Sequence, residues 1–215
     1  MFFLSNMNSI IIAGIHTGIG KTIASTILVE ALQYDYWKPI QAGDLQASDS
    51  IFVQTHISNK KSFVHPEAYR LKTPESPHAA AQKEGIEILL KNLTLPQSTN
   101  PLIIETAGGI MSPLSATLLN IDLIHHLNLP VILVTNDYLG SINHTLLTIE
   151  VLTQKNIPIL GLIFSGKENP ESRKFIQTHS NLKTILKIPY LPKITKKTIT
   201  TIAGAINPQL YSLKG

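Results

Sequence analysis

Four apolar runs in the chain show no alternation with polar residues: 10–13, 102–104, 131–134 and 160–164. Continuous apolar strands are expected where both faces of a parallel sheet are covered. Between them lie segments with helical spacing, at residues 22–33, 77–90, 118–127, 141–154 and 170–179. Strands alternating with helices imply right-handed βαβ crossovers. The expected fold is therefore α/β: a doubly wound, mainly parallel sheet with helices on both faces, in a single domain covering residues 1–215. Ser76 before Pro77 reads as a helix N-cap followed by proline at the first helical position. Residues 96–101 read as a loop leading into a strand, and there is no internal repeat.

Composition narrows the class. An apolar fraction of 43% suits a buried sheet, and 15% charged residues is low for a disordered chain. The absence of cysteine excludes disulfides, thiolate metal sites and cysteine nucleophiles, and it suits a reducing cytoplasm. The apolar start Met1-Phe2-Phe3-Leu4 is too short for a signal peptide, and Met7 is an alternative start with residues 1–7 frayed. No apolar run approaches the roughly 20 residues of a membrane helix. The net charge of +4 raises the question of nucleic acid, but the lysines are scattered. The densest group, Lys193, Lys196 and Lys197, lacks interleaved aromatics and reads as a solvated face. Neither nucleic acid nor membrane is an expected partner. The histidines carry no metal spacing, since His125 and His126 are adjacent on a helix and point apart.

Chemistry enters at Gly14-Ile15-His16-Thr17-Gly18-Ile19-Gly20-Lys21-Thr22, placed between the first apolar run and the first helical pattern. Strand, glycine-rich loop, Gly-Lys-Thr and helix in that order make a phosphate cradle. Loop N–H groups and the helix N-terminus face the anion, the lysine adds a point charge, and the threonine hydroxyl can ligate Mg²⁺. Five residues separate the outer glycines where the usual pattern has four. A turn that merely joined strand to helix would not need Lys21 and Thr22 together after Gly20, so a nucleoside triphosphate is the expected ligand.

Further clusters fall where strands should end. In Trp37-Lys38-Pro39-Ile40-Gln41-Ala42-Gly43, proline holds Lys38 extended and Gly43 permits a turn. Lys38 there neutralises a phosphate or carboxylate, or is an ordinary exposed lysine. Ala47-Ser48-Asp49 heads a helical stretch, 50–55. Either Ser48 or Asp49 simply caps that helix, or Asp49 is a carboxylate beside the phosphate loop. Glu105, in Glu105-Thr106-Ala107-Gly108-Gly109, stands where a Walker B acid belongs; the alternative is a plain loop glutamate. Finally, Asn136 to His144 starts a helix near Ser141, whose free N–H groups could hold a carboxylate, although capping by Ser141 explains the local sequence equally well.

Taken together, these clusters resemble the dethiobiotin synthetases, ATP-dependent cyclising ligases of biotin biosynthesis in the P-loop NTPase superfamily. The likeness runs from the phosphate loop to about Leu191. It rests on the longer loop, Lys38–Gly43, Ser48-Asp49, Ser76-Pro77-His78, Glu105–Gly109 with Pro113-Leu114-Ser115, and Leu139–His144. The resemblance implies 7,8-diaminopelargonic acid, CO₂ or bicarbonate and ATP as substrates, Mg²⁺ as cofactor, and a homodimer. It implies that Lys38, Lys21 and Thr17 are catalytic and that Thr22, Asp49 and Glu105 hold Mg²⁺. The nucleotide would lie against Gly18, Ile19, Gly20, Lys21, Thr22, Ile23, Asp49, Glu105, Thr106, Ala107, Gly108, Ser165, Gly166, Pro189, Tyr190 and Leu191. The diamine would meet Thr17, Lys38, Ala42, Gly108 and Gly109, with Gly140, Ser141, Ile142 and Asn143 of the second subunit holding its carboxylate. Three departures stand out. Ala42 lacks the hydroxyl many relatives carry, Gly18 replaces an acid found in some, and Ser165-Gly166 replace an asparagine that reads adenine. A relaxed preference for ATP over other nucleoside triphosphates follows from the last. The competing expectation is a partition or cell-division ATPase switch, which would usually carry lysine where His16 stands.

Overall fold

The structure is a computed structural model and describes residues 9–206. The expectation for residues 1–7 lies outside the described residues. The phosphate loop leaves β1 (Ile10–Gly14) and enters α1 (Lys21–Leu32). Next come β2 (Asp35–Trp37), β3 (Ile40–Ala42), α2 (Asp49–His56), β4 (Val64–His65), β5 (Tyr69–Leu71) and α3 (Pro77–Glu84). The second half follows as β6 (Leu102–Gly109), α4 (Asn120–Leu127), β7 (Val131–Asn136), α5 (Ser141–Gln154), β8 (Ile159–Gly166), α6 (Pro170–Ser180), β9 (Thr184–Pro189) and α7 (Lys196–Gly204). Seven strands form one sheet in the order β4-β2-β6-β1-β7-β8-β9, and every pairing is parallel.

Side-chain alternation sorts the core into two layers, as a sheet covered on both faces requires. Ile10, Ile12, Tyr36 and Ile103 pack on one face beneath α1 and α7, with Val53 of α2 beside them. Ile11, Ala13, Trp37 and Ile104 pack on the other, against Ile121 and Ile124 of α4, Leu152 of α5 and Ile176 of α6. The chain extends the sheet to one side after β1 and to the other after β6, so the loops following these central strands part. The crevice between them is where ligands bind in such sheets.

Some boundaries differ from expectation. The segment read as one strand ending in 37–43 is two. β2 belongs to the large sheet, and after Lys38-Pro39 the chain moves to β3, which pairs with β5 in a separate two-stranded sheet. The helix expected over 77–90 stops at Glu84, because Gly85 adopts a left-handed conformation (φ 63°) and turns the chain. Ile88, beyond the stop, is buried with β3, β5 and α3 in a third cluster, so apolar spacing continued although the helix did not. Ser76 occupies the N-cap position of α3, but its hydroxyl meets His78 Nδ1 at 2.9 Å instead of capping the backbone. Lys193, Lys196 and Lys197 are exposed, as a solvated face requires. Among the described residues, no helix is long and apolar enough to cross a membrane.

Candidate active site

Cross-strand register builds the site. Tyr36 lies opposite Ile103 on the neighbouring strand. Two residues further along each strand, on the same face, come Lys38 and Glu105. Ile12 of β1 flanks Glu105 from the other side. Both charged residues are thus delivered by the sheet itself to the face covered by α1. Lys38 is 5% exposed and Glu105 1%, which rules out the ordinary exposed lysine and the plain loop glutamate.

The phosphate loop closes on Gly20, the N-cap of α1, whose φ of 95° is left-handed backbone. A side chain there would also strike the Ser165 hydroxyl, so Ser165 sits directly against the loop. Lys21 opens the helix, and its Nζ donates to the His16 carbonyl at 3.0 Å. Burial lowers its pKa to about 8 against the opposing pull of Glu105. The Thr22 hydroxyl lies 2.7 Å from Asp49 Oδ1 and 2.9 Å from Glu105 Oε1. A hydroxyl has a single proton and cannot fully serve two carboxylates. The remaining charge is met by Lys38, which pairs closely with Asp49 Oδ2 and lies 3.4 Å from Glu105 Oε1. Burial opposes the charge on Lys38, but Glu105 and Asp49 together outweigh it and hold the pKa above its ordinary value. Asp49 titrates low because Lys38 and Thr22 overcome the cost of burial.

The cap question at α2 resolves in favour of Ser48, whose side chain accepts from the Ile51 N–H at 3.3 Å. Asp49 is the first helical residue and is free to face the cluster. The donor set of one hydroxyl and two carboxylates suits Mg²⁺, a hard cation that takes one or two carboxylates and completes its shell with phosphate and water. The described residues contain no grouping of three His, Cys, Asp or Glu that would form an all-protein metal cage.

Beside Lys38 opens a cavity of about 540 Å³, walled by Thr17, Lys38, Gln41, Ala42, Asp49, Ala107, Gly108 and Ser112 and by the Pro74–Pro77 segment. Gly109 closes off β6 against the Ile15 carbonyl of the phosphate loop. Gly18 has a φ of 74° and is exposed, Ile19 is buried in the core, and Ile23 is half-buried. Thr106 is buried, with its hydroxyl 3.4 Å from the Ile12 carbonyl.

The remaining expected residues lie at the carboxyl ends of β7, β8 and β9. Gly140, not Ser141, is the N-cap of α5 (φ 100°). Ser141 is buried, and its hydroxyl has no hydrogen-bond partner. Ile142 is half-buried and Asn143 exposed, next to the fully exposed Leu139. This segment meets the phosphate loop through Tyr138, which packs edge-on against His16 and hydrogen-bonds His144 Nδ1 at 2.6 Å. Gly166 ends β8, Pro189 ends β9, Tyr190 is exposed and Leu191 is half-buried.

One contact was missed by sequence reasoning. The Tyr36 hydroxyl donates to Glu105 Oε2 at 3.0 Å. Burial, and then the Glu105 charge, push its pKa well above the usual phenol value, so it stays a donor. The signal was available in the strand period, since Tyr36 stands two residues before Lys38 and faces the same way.

A parallel sheet with a Gly-Lys-Thr loop on its central strand, and two acids beside the threonine, defines a phosphate-loop nucleotide-binding protein. A family model described as "AAA domain" matches residues 8–198. The ATP-dependent dethiobiotin synthetase BioD of Cytophaga hutchinsonii is 48% identical, over 95% of this chain and 100% of its own. Those of Christiangramia forsetii (48%, over 95% and 99%) and Chlamydia pneumoniae (44%, over 89% and 83%) are also similar. The chain belongs to the dethiobiotin synthetase family, within the group that the AAA-domain model describes. Among solved structures, a ParA family ATPase from Chlorobium tepidum matches with a TM-score of 0.56 at 12% identity, covering 93% of this chain and 100% of that one. The Aquifex aeolicus MinC:MinD complex matches with 0.55 at 14%, covering 96% and 95%. At such identities these two show a shared fold and nothing of function.

Proposed function

We propose that the protein is an ATP-dependent dethiobiotin synthetase, converting 7,8-diaminopelargonic acid, CO₂ and ATP to dethiobiotin, ADP and phosphate. The observation that carries this reading is that Lys38 and Asp49 line a cavity of about 540 Å³ and, on their other side, join Glu105 and the phosphate-loop Thr22 in one charged cluster.

One amine adds to CO₂, forming a carbamate and releasing a proton. A carbamate oxygen then attacks the γ-phosphorus of ATP, the bond to ADP breaks, and a carbamic–phosphoric anhydride results. The second amine attacks the carbonyl carbon and loses a proton. The C–O bond to phosphate breaks and the five-membered urea ring closes. Phosphoryl transfer of this kind asks the protein for positioning and charge neutralisation. Lys38 stands at the boundary between the cavity and the acids, placed to neutralise both the carbamate and the γ-phosphate. Lys21 and the loop N–H groups hold the phosphates, while Thr17 and Gly108 line the diamine side. Thr22, Asp49 and Glu105 would hold Mg²⁺, which when bound supplies charge neutralisation on the phosphate oxygens.

The distal carboxylate of the diamine would be held at the start of α5 by Gly140 to Asn143 of a second copy, which makes a homodimer the working form. The fully exposed Leu139 beside the start of α5 supports that reading, because nothing within one chain covers it. Ser165, packed on Gly20, and Gly166 have no side-chain amide for adenine, so nucleotides other than ATP should be accepted.

The direct test is phosphate release from ATP with each component withheld in turn. Release requiring both diamine and bicarbonate supports the assignment. Steady release from ATP alone, indifferent to either, would turn the reading towards a nucleotide switch.

A further inference from the structure

Glu105 has two carboxylate oxygens with unequal surroundings. Oε1 faces Thr22 at 2.9 Å and Lys38 at 3.4 Å, whereas Oε2 accepts from the Tyr36 phenol at 3.0 Å. The Thr22 proton is shared with Asp49, and Lys38 lies closer to Asp49 than to Glu105. The contacts on Oε1 are therefore divided, and both belong to groups that must turn towards a nucleotide when one binds. Tyr36 is different. It is fully buried, its ring is packed in the core with residues of α1, and its hydroxyl donates to Glu105 from that fixed ring.

We propose that Tyr36 is a positioning residue for metal binding: its hydroxyl locks the Glu105 carboxylate in the rotation that presents Oε1 to the Thr22 side. This rests on the reading of Glu105 as a holder of Mg²⁺. A terminal carboxylate torsion is broad and roughly two-fold, so packing alone does not fix it. A hydrogen bond on one oxygen does, and groups that orient a metal-binding side chain in this way typically contribute ten- to a hundredfold in metal affinity. The register accounts for the contact, because Glu105 stands two residues beyond Ile103, the partner of Tyr36 on the neighbouring strand, and so faces the same side of the sheet.

The test is Tyr36→Phe, which removes the hydroxyl and keeps the ring. Mn²⁺ binding in the presence of a non-hydrolysable ATP analogue would be followed by electron paramagnetic resonance. The proposal expects Mn²⁺ affinity to fall about tenfold, with nucleotide affinity in chelator unchanged. Wild-type Mn²⁺ affinity accompanied only by a lower melting temperature would overturn it, leaving the phenol a structural group. Glu105→Gln separates the role of Tyr36 from that of Glu105. If it weakens Mn²⁺ while Y36F does not, only the role of Tyr36 fails. If it leaves Mn²⁺ affinity intact, the metal reading of Glu105 fails and the proposal with it. In the double variant the loss should equal that of E105Q alone, and additive losses would contradict the proposal.

Discussion

The two ends of β2 each carry a buried carboxylate cluster, and they are built on opposite plans. At the amino end Asp35 receives the Phe63 N–H (2.8 Å) and Asn100 Nδ2 (3.1 Å) on one oxygen. Its other oxygen faces Ser98 Oγ (2.6 Å) and His65 Nε2 (3.1 Å). Burial alone would raise its pKa, but these four partners outweigh it and bring the value down to about 2. That cluster is saturated and ties β2 to β4 and to the loop before β6. At the carboxyl end, Asp49 and Glu105 share one threonine proton and one lysine. Charge there is balanced by the Lys38 ammonium, a point charge on an unbranched stem whose place another cation can take. Burial of an acid is common to both ends, and only the identity of its partners separates a structural clasp from a site prepared to exchange ligands.

The largest effect that should sharpen this contrast is at Lys38. Lys38→Gln is expected to lower turnover by a factor of about 10² to 10³, as loss of a single charge-stabilising donor does, with nucleotide binding in chelator retained. Near-normal turnover would remove Lys38 from the chemistry. Next in size, Asp49→Asn should raise the Mg²⁺ concentration needed for half-maximal activity by about tenfold or more. An unchanged Mg²⁺ titration would make Asp49 a helix-start acid only.

At the opposite end the expectation reverses. Asp35→Asn should cost about 2 kcal/mol of stability, from hydrogen bonds to a charged group, while activity per folded molecule stays at the wild-type level. The wild type should also show an acid limb that the variant lacks. The folded pKa lies below the ordinary aspartate value, so the stabilisation is complete above about pH 4 and is lost as the pH falls through about 2. Urea titrations at several pH values compare the two slopes, and parallel slopes would show that Asp35 is not the clasp described. The smallest effect concerns base choice: the ratio of KM for GTP to that for ATP should stay within about tenfold, the scale of one bidentate contact. A much larger ATP preference would mean that groups other than Ser165-Gly166 read the base.

How much of this could be read in the chain follows from the range of the interactions involved. The sheet was legible because a doubly covered strand needs an unbroken apolar run, and runs 10–13 and 131–134 lie inside β1 and β7. Lys21 and Thr22 were legible because a phosphate loop is local. Lys38, Asp49 and Glu105 were visible as candidates at strand ends, but their alternatives stayed open until burial and register decided between them. Tyr36 was not singled out at all, since its partner is 69 residues away. The small β3–β5 sheet and the early end of α3 were hidden for a similar reason. Pairing with Tyr69–Leu71 separates β3 from β2, and a single left-handed glycine overrides helical spacing that runs on past it.

The destination of the transferred phosphoryl group separates a ligase from a hydrolase. If Lys38 and the acids serve attack by a carbamate oxygen, then ¹⁸O-labelled bicarbonate mixed with enzyme, diamine and ATP in ordinary water should, within one turnover, deliver its label to the released phosphate. Label in phosphate at close to one atom per molecule is the result expected. Phosphate free of label would mean that water, not carbamate, receives the phosphoryl group, and the ligase mechanism would be contradicted.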